Sequence, residues 1–151
     1  EGLMAFPNQI AYSASKWALE CASEALAHEV YRFGIRVVCI EPGVIMTNIF
    51  ENSRPFTRYD KNSPYQPLMR RNGKFFAAGM DAGTQPERVA ETILEAIESR
   101  DYKLRWLVGD DARTLFAGRN DMTDEQWVAM GDDLSDEDYN ARFQDHFGIA
   151  L

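Results

Sequence analysis

The chain has 151 residues, of which 45% are hydrophobic, and this is enough for one globular domain with a core of its own. The formal net charge of −8 argues against nucleic acid as a partner. No apolar run approaches the roughly 20 residues that span a bilayer, and no signal-peptide pattern opens the chain, so we expect a soluble, cytoplasmic protein with no membrane partner. The charge excess lies in residues 120–151, which hold nine acidic residues and one basic residue.

The first predicted element is a helix from about residue 9 to residue 33. Apolar residues recur there at helical spacing, and Gly34 follows as a typical helix-ending residue. We expect Cys21 and Cys39 to be reduced thiols in the core, because neither has a metal-ligand spacing. The predicted buried face of the helix consists of Ala14, Trp17, Ala18, Cys21, Ala22, Ala25, Leu26, Val30 and Phe33.

The next predicted element is a strand over residues 36–41. Its sequence, "IRVVCIEPG", is a β-branched apolar run closed by Pro-Gly, which is typical of a strand buried in a parallel sheet. Residues 48–83 then contain three prolines, three glycines and many aromatic residues, and we predict a long irregular segment. A segment of this kind is more often a lid or binding loop than a plain connector.

Regular structure is predicted to resume at "TQPERVAETILEAIESR". Thr84 and Glu87 have capping-box spacing, and Pro86 falls in the first turn of the predicted helix. A second buried strand over 104–109, "KLRWLVGDDA", follows. The order helix, strand, helix, strand predicts an α/β fold with a parallel sheet. The predicted buried face of this helix consists of Val89, Ala90, Ile93, Leu94 and Ile97.

The acidic tail carries two further capping signals, Thr123 with Gln126 and Ser135 with Asp138, which predict two short helices. Its Asp-rich run 132–138 lacks the glycine and glutamate of an EF-hand loop, so a solvated acidic surface is favoured over a calcium site. Three roles stay open for the tail: covering the subunit's own surface, contact with another subunit, or solubility.

The best chemical motif is "AYSASK", residues 11–16. Tyr12 and Lys16 are four apart on the predicted helix and therefore share a face. An ammonium beside a phenol stabilises the phenolate, which suits a tyrosine to acid/base chemistry. The pair alone is not specific, because this spacing occurs by chance on many helices.

"PNQIAYSASKWAL" followed by "GIRVVCIEPGVIMT" resembles the short-chain dehydrogenase/reductase family. The resemblance covers roughly residues 1–110 and implies part of a Rossmann-like, doubly wound parallel sheet, with 48–83 as the substrate lid and 111–151 as an acidic, partly helical extension. It also implies NAD or NADP as cofactor, a carbonyl or alcohol substrate, and a homo-oligomer. Tyr12 would be the proton donor or acceptor, and Lys16 would bind the nicotinamide ribose. The residues implied to line the nicotinamide are Pro42, Gly43, Val44, Ile45 and Thr47.

The sequence departs from this family at three motifs. The glycine-rich turn T-G-x-x-x-G-x-G, which brings backbone amides to the cofactor pyrophosphate, is absent. The N-N-A-G segment is absent too, and the family's catalytic serine would fall just before Glu1. We therefore expect this chain to be the C-terminal half of such an enzyme and to be inactive alone. With only two strands, we also expect poor stability or association through the open sheet edge.

Other residues of the sequence have competing interpretations. The basic surplus of 48–83 could favour an anionic ligand, although a solvated loop is the simpler reading. Both histidines, His28 and His146, are expected to be surface or partly packed residues rather than catalytic bases. A non-catalytic remnant or interaction module remains the alternative to an NAD(P)-dependent oxidoreductase. The apolar candidates for the substrate pocket are Phe50, Phe56, Tyr59, Tyr65 and Met69.

Overall fold

The computed structural model describes residues 1–49 and 60–151, and the predicted helices and strands occur there in the predicted order. In chain order they are α1 (Ile10–Val30), a 3₁₀ turn (Tyr31–Phe33), β1 (Cys39–Pro42), α2 (Gln66–Ala82), α3 (Pro86–Glu98), β2 (Arg105–Val108), α4 (Asp110–Asp121), α5 (Asp124–Ala129) and α6 (Asp136–Phe147). Among the described helices, none is long and apolar enough to cross a bilayer.

The two strands pair in parallel, which confirms the predicted α/β class. Cys39 lies opposite Arg105 and Pro42 lies opposite Val108. Helix α3 crosses over between the strands, as parallel pairing requires. Strand β1 is shorter than predicted, because residues 36–38 do not pair with β2. The Arg36 guanidinium donates hydrogen bonds to the carbonyls of Ala96 and Ile97 at the end of α3. Both strands end at the same edge of the sheet, where α/β folds place their ligands.

The structure corrects the prediction of an irregular segment over 48–83. Residues 66–82 form α2, with a proline in its first turn and Gly83 in the left-handed conformation after its end. The glycines inside α2 made the helical pattern look broken, but a glycine costs a helix only about 1 kcal/mol, which packing overcomes. Residues 50–59 lie outside the described part of the chain, and the lid function stays a prediction.

The core lies between α2, the N-terminal segment and the acidic tail. Asn72 of α2 donates to the carbonyl of Pro7 at 2.5 Å, and Arg70 makes a two-pronged ion pair with Asp136 at the start of α6. Buried Arg71 stacks on the ring of Tyr139 at 4.4 Å. The central cluster consists of Met4, Phe6, Val44, Phe75, Met122, Met130, Tyr139, Phe143 and Phe147.

The tail is therefore part of the core, and not only a pair of acidic helices on the surface. The capping box of Thr123 and Gln126 and the Ser135 cap are both formed, as predicted. Helix α4, which the sequence interpretation did not include, precedes them. The division of the chain into 1–110 and 111–151 stays a prediction, and the structure shows that both segments contribute to one core.

Two predicted buried faces are instead exposed. In α1 the one buried residue is Ser13, while Trp17, Leu26 and the exposed thiol of Cys21 face solvent. In α3 the buried residues are Thr92 and Ala96, and Ile93, Leu94 and Ile97 are 41–64% exposed. The predicted Thr84 cap is also wrong, because Gln85 precedes the helix and Thr84 pairs with Ile45. The periodicity identified apolar faces but not what would cover them.

Candidate functional site

Tyr12 and Lys16 lie in the first two turns of α1, on the face that the four-residue spacing indicates. The Lys16 ammonium is 5.3 Å from the centre of the Tyr12 ring, and the Tyr12 side chain is half exposed. The phenol is thus accessible to a ligand while a positive charge stands beside it. Such a pair can hold or deliver a proton at the phenolic oxygen.

The turn that follows β1 is fixed by hydrogen bonds to three separate parts of the chain. The Gly43 N–H donates to the Val108 carbonyl at 3.0 Å, and the Val44 N–H donates to Asp111 Oδ2 at 2.6 Å. The Met46 N–H donates to the Thr84 carbonyl at 2.9 Å. Within the described chain, the intervening N–H of Ile45 makes no hydrogen bond.

These two features open onto one cavity of about 550 Å³ at the carboxyl edge of the sheet. The cavity brings the helix pair and the turn together, although 30 residues separate them in sequence. Its lining includes every residue that the resemblance to the family implied for the site: Tyr12, Lys16, Pro42, Gly43, Val44, Ile45 and Thr47.

The structure also adds cavity residues that the sequence interpretation missed. Phe75 and Phe76 of α2 line the cavity, as do Leu115 and Phe116 of α4. The apolar spacing of α4 was the available signal, but its helix was not recognised. Of the predicted pocket residues, Tyr65 is exposed and Met69 is partly exposed, and neither is among the lining residues, while Phe50, Phe56 and Tyr59 lie outside the described residues. Both histidines are exposed, as expected.

A group of charged side chains lies between α1 and the sheet, and two of its members, Glu20 and Glu41, line the cavity. The Arg105 guanidinium lies 3.0 Å from Glu20 and 3.6 Å from Glu41. Both carboxylate oxygens of Glu41 are buried and accept no hydrogen bond from the described residues. Burial, and then the negative charge of Glu20, raise the pKa of Glu41 to about 7, against the opposing effect of Arg105.

The cavity fits the nicotinamide end of a dinucleotide cofactor better than its phosphate end. The N–H of Ile45 is available to an acceptor such as a carboxamide, and the phenol and ammonium supply polar contacts nearby. The lining residues include no glycine-rich strand-to-helix turn of the kind that binds a pyrophosphate. Among the described residues there is also no cluster of ligands for a metal ion.

Comparison with known proteins gives a consistent result. A family model described as short chain dehydrogenase matches residues 1–58. A 3-ketodihydrosphingosine reductase from Bacteroides thetaiotaomicron is 33% identical over 116 residues, which cover 77% of this chain and 43% of that protein. An NADPH-dependent 3-dehydrocapnine reductase from Ornithobacterium rhinotracheale is 32% identical over 107 residues, which cover 71% of this chain and 38% of that protein.

A solved structure gives the same indication. A short-chain dehydrogenase from Streptomyces avermitilis is similar with a TM-score of 0.64 and 32% identity, over 86% of this chain and 48% of that one. The chain thus spans about half the length of the relatives it matches, or less.

The fold is that of an α/β protein with a cavity at the carboxyl edge of a parallel sheet. Together with the similarities above, this architecture supports membership of the chain in the short-chain dehydrogenase/reductase family.

Proposed function

We propose that this chain forms the acid/base and nicotinamide-binding side of an NAD(P)-dependent oxidoreductase that interconverts a carbonyl and an alcohol. The observation that carries the proposal is the single cavity shared by Tyr12, Lys16 and the turn from Pro42 to Thr47. The family normally uses nicotinamide cofactors, and the name of one relative specifies NADPH. The nicotinamide, when bound, supplies or accepts the hydride.

The residues of the chain have separate tasks in this reaction. In the reducing direction the Tyr12 hydroxyl gives its proton to the substrate oxygen, and in the oxidising direction the phenolate takes a proton from the alcohol. The Lys16 ammonium stabilises the phenolate and offers hydrogen bonds to the ribose. The Ile45 N–H would bind the carboxamide, and Thr47, which also lines the cavity, would contact the phosphates or the amide.

The substrate is proposed to be an apolar ketone or its alcohol. The side chains of Met4, Phe6, Phe75 and Phe116 line the cavity, which makes it suited to a hydrocarbon substituent. The names of two relatives describe reduction of a 3-keto or a 3-dehydro compound. We propose that the protein acts as a homo-oligomer in solution and binds no nucleic acid.

The test is turnover by the complete gene product, with any sequence that precedes Glu1, in the presence of NADPH or NADH and a panel of aliphatic ketones. Tyr12→Phe removes the proton donor and is expected to lower kcat by about 100-fold or more while the cofactor still binds. Tyr31→Phe, which alters another exposed tyrosine, serves as the matched control. The control should keep the turnover of the unaltered protein, and turnover of Tyr12→Phe equal to that of the control would refute the assignment of Tyr12.

The exposed apolar faces of α1 and α3 support a second candidate, a non-catalytic remnant or interaction module. Under this alternative the complete gene product would bind neither NADH nor NADPH. A titration that follows nicotinamide fluorescence separates the two functions before any substrate is known.

A further inference from the structure

We propose that Asp111, in the first turn of α4, is a positioning residue for the cofactor-binding turn. The inference rests on the proposed function, because the turn matters for catalysis only if it binds the nicotinamide. Asp111 lies in the first turn of α4, whereas the turn that it holds follows β1, 67 residues earlier in the chain. Its carboxylate joins the two strand ends that border the cavity.

Two hydrogen bonds fix the Asp111 carboxylate. Oδ2 accepts the Val44 N–H at 2.6 Å, and Oδ1 accepts the N–H of Ala112 at 2.9 Å. The second bond uses a free N–H of the first turn of α4 and holds the side chain against its own helix. Because the carboxylate is held in place, its hydrogen bond with the Val44 N–H also holds the turn after β1 in place. A hydrogen bond to a charged acceptor is stronger than one between neutral groups.

The backbone around the carboxylate is shaped to admit it. A Cβ atom added to Gly43 would collide with both carboxylate oxygens and with Cγ of Asp111. A Cβ atom added to Gly109 would approach Oδ1 at 2.5 Å, and the φ of Gly109 is +95°, which favours glycine in any case. Glycine thus occurs at both positions where the carboxylate passes close to the main chain.

The contact determines which amide of the turn remains available. The N–H groups of Gly43, Val44 and Met46 are all bonded within the protein, and Asp111 accounts for the middle one. The Ile45 N–H, which follows directly, makes no hydrogen bond within the described chain. Without Asp111, the Val44 N–H would bond to water or compete with the Ile45 N–H for an acceptor on the cofactor. The turn would also lose one of its three hydrogen-bonded attachments to the rest of the chain.

Helix α4 contributes a wall of the cavity from the same anchor point. Ala112, Leu115 and Phe116 line the cavity together with Tyr12 and Gly43. Asp111 therefore fixes the distance between this wall and the turn. A loss of the contact is expected to loosen cofactor binding without removing any group that touches the reacting atoms.

Asp110 provides a matched control for this proposal. It has the same charge and adjoins Asp111 at the start of α4, but its side chain is fully exposed, and its one partner among the described residues is Arg113. Asp110→Ala and Asp111→Ala remove the same charge from the same helix turn. A difference between them reports on the contact with Val44 rather than on the helix dipole or the net charge.

The first measurement is amide hydrogen exchange in the complete gene product without cofactor. Asp111→Ala is expected to speed exchange at the Val44 amide by about 10-fold, since a charge-assisted hydrogen bond is lost, while Asp110→Ala leaves it unchanged. The Cys39 amide, which donates to Leu104 within the sheet, should be protected equally in all variants. Equal exchange at Val44 in both alanine variants overturns the proposal.

The second measurement is the titration of NADPH and NADH into the same variants. We expect Asp111→Ala to raise the dissociation constant by about 10-fold, Asp110→Ala to leave it unchanged, and Asp111→Asn, which keeps one acceptor oxygen, to fall between them. Faster exchange at Val44 with unchanged cofactor affinity would show a purely structural contact and overturn the positioning role. If the unaltered protein binds neither nucleotide, the proposed function fails and this role fails with it, while the exchange result still shows whether Asp111 holds the turn.

If Asp111→Ala is too unstable to purify, the hydrogen-exchange and nucleotide-binding measurements are both made on Asp111→Asn, with Asp110→Asn as the control. The expected result for Asp111→Asn is faster exchange at Val44 and weaker nucleotide binding than in Asp110→Asn. Identical behaviour of the two asparagine variants would overturn the proposal.

Discussion

Helices α1 and α6 differ in how much of their apolar surface is buried. Helix α1 is rich in apolar residues, yet Ser13 is its one buried residue and Trp17 is 50% exposed. Helix α6 carries four acidic residues, yet its Phe143 and Phe147 are each only 1% exposed. The difference shows that burial depends on the surfaces available nearby and not on the apolar content of a helix alone.

The partners of the two helices explain the difference. Helix α6 meets Phe75 of α2, and its apolar stripe closes the core cluster. Helix α1 meets the sheet mainly through charges, since Glu20 and Glu24 both pair with Arg105. The described residues provide no apolar surface to cover the remaining face of α1. Three predictions test this contrast, in order of decreasing effect on stability.

Phe143→Ala should cause the largest loss of stability. The ring is fully buried and contacts Phe75, Tyr139 and Phe147, so its removal leaves a cavity and should cost about 3–5 kcal/mol in the free energy of unfolding. Val128→Ala in α5, where the side chain is 75% exposed, is the control and should cost less than about 0.5 kcal/mol. Urea unfolding of the 151-residue chain measures both, and equal losses would contradict a core centred on α6.

Glu41→Gln should change the pH dependence of stability on the α1 side. The pKa of Glu41 in the folded chain, about 7, lies above its ordinary value of 4.5, so the folded state binds more protons between these values. The stabilising contribution is complete below pH 4.5 and is lost as pH rises through 7, by up to about 3 kcal/mol. Glu20 on α1 and Arg105 on β2 are the charged groups facing it.

The measurement is the free energy of unfolding from pH 4.5 to pH 8 for the unaltered chain and for Glu41→Gln. Glu41→Gln should lack this decline, whereas Glu98→Gln at an exposed position should retain it. The attachment of α6 should not change over this range, because the hydrogen bonds from Arg70 hold the pKa of Asp136 at about 2. Parallel curves for the unaltered chain and Glu41→Gln would refute the prediction.

Leu26→Ser and Ile97→Ser should have the smallest effect on folding, less than about 1 kcal/mol each, because Leu26 is 47% exposed and Ile97 is 64% exposed. They should, however, weaken self-association, since large exposed apolar faces favour contact between molecules. Sedimentation at several protein concentrations measures the association. If the variants associate as strongly as the unaltered chain, the open edge of the two-stranded sheet becomes the better explanation.

The sequence predictions are accurate where a feature depends on interactions between residues close in sequence, and they fail where it depends on residues far apart in sequence. The capping box at Thr123 and the helix stop at Gly34 were predictable, because each depends on atoms within one turn. The Tyr12–Lys16 pair was predictable for the same reason. The predicted cap at Thr84 failed because a tertiary partner, Ile45, holds that residue in a bridge.

What the sequence alone determined is the alternation of helices and strands, the parallel sheet, and the residues that the family resemblance assigned to the cavity. Only the tertiary structure decided which apolar faces are buried, that the acidic tail completes the core, and that Asp111 holds the turn after β1. The physical reason is distance along the chain. Local spacing and capping are encoded within a few residues, whereas a hydrogen bond between Val44 and Asp111 depends on how the whole fold brings two distant strand ends together.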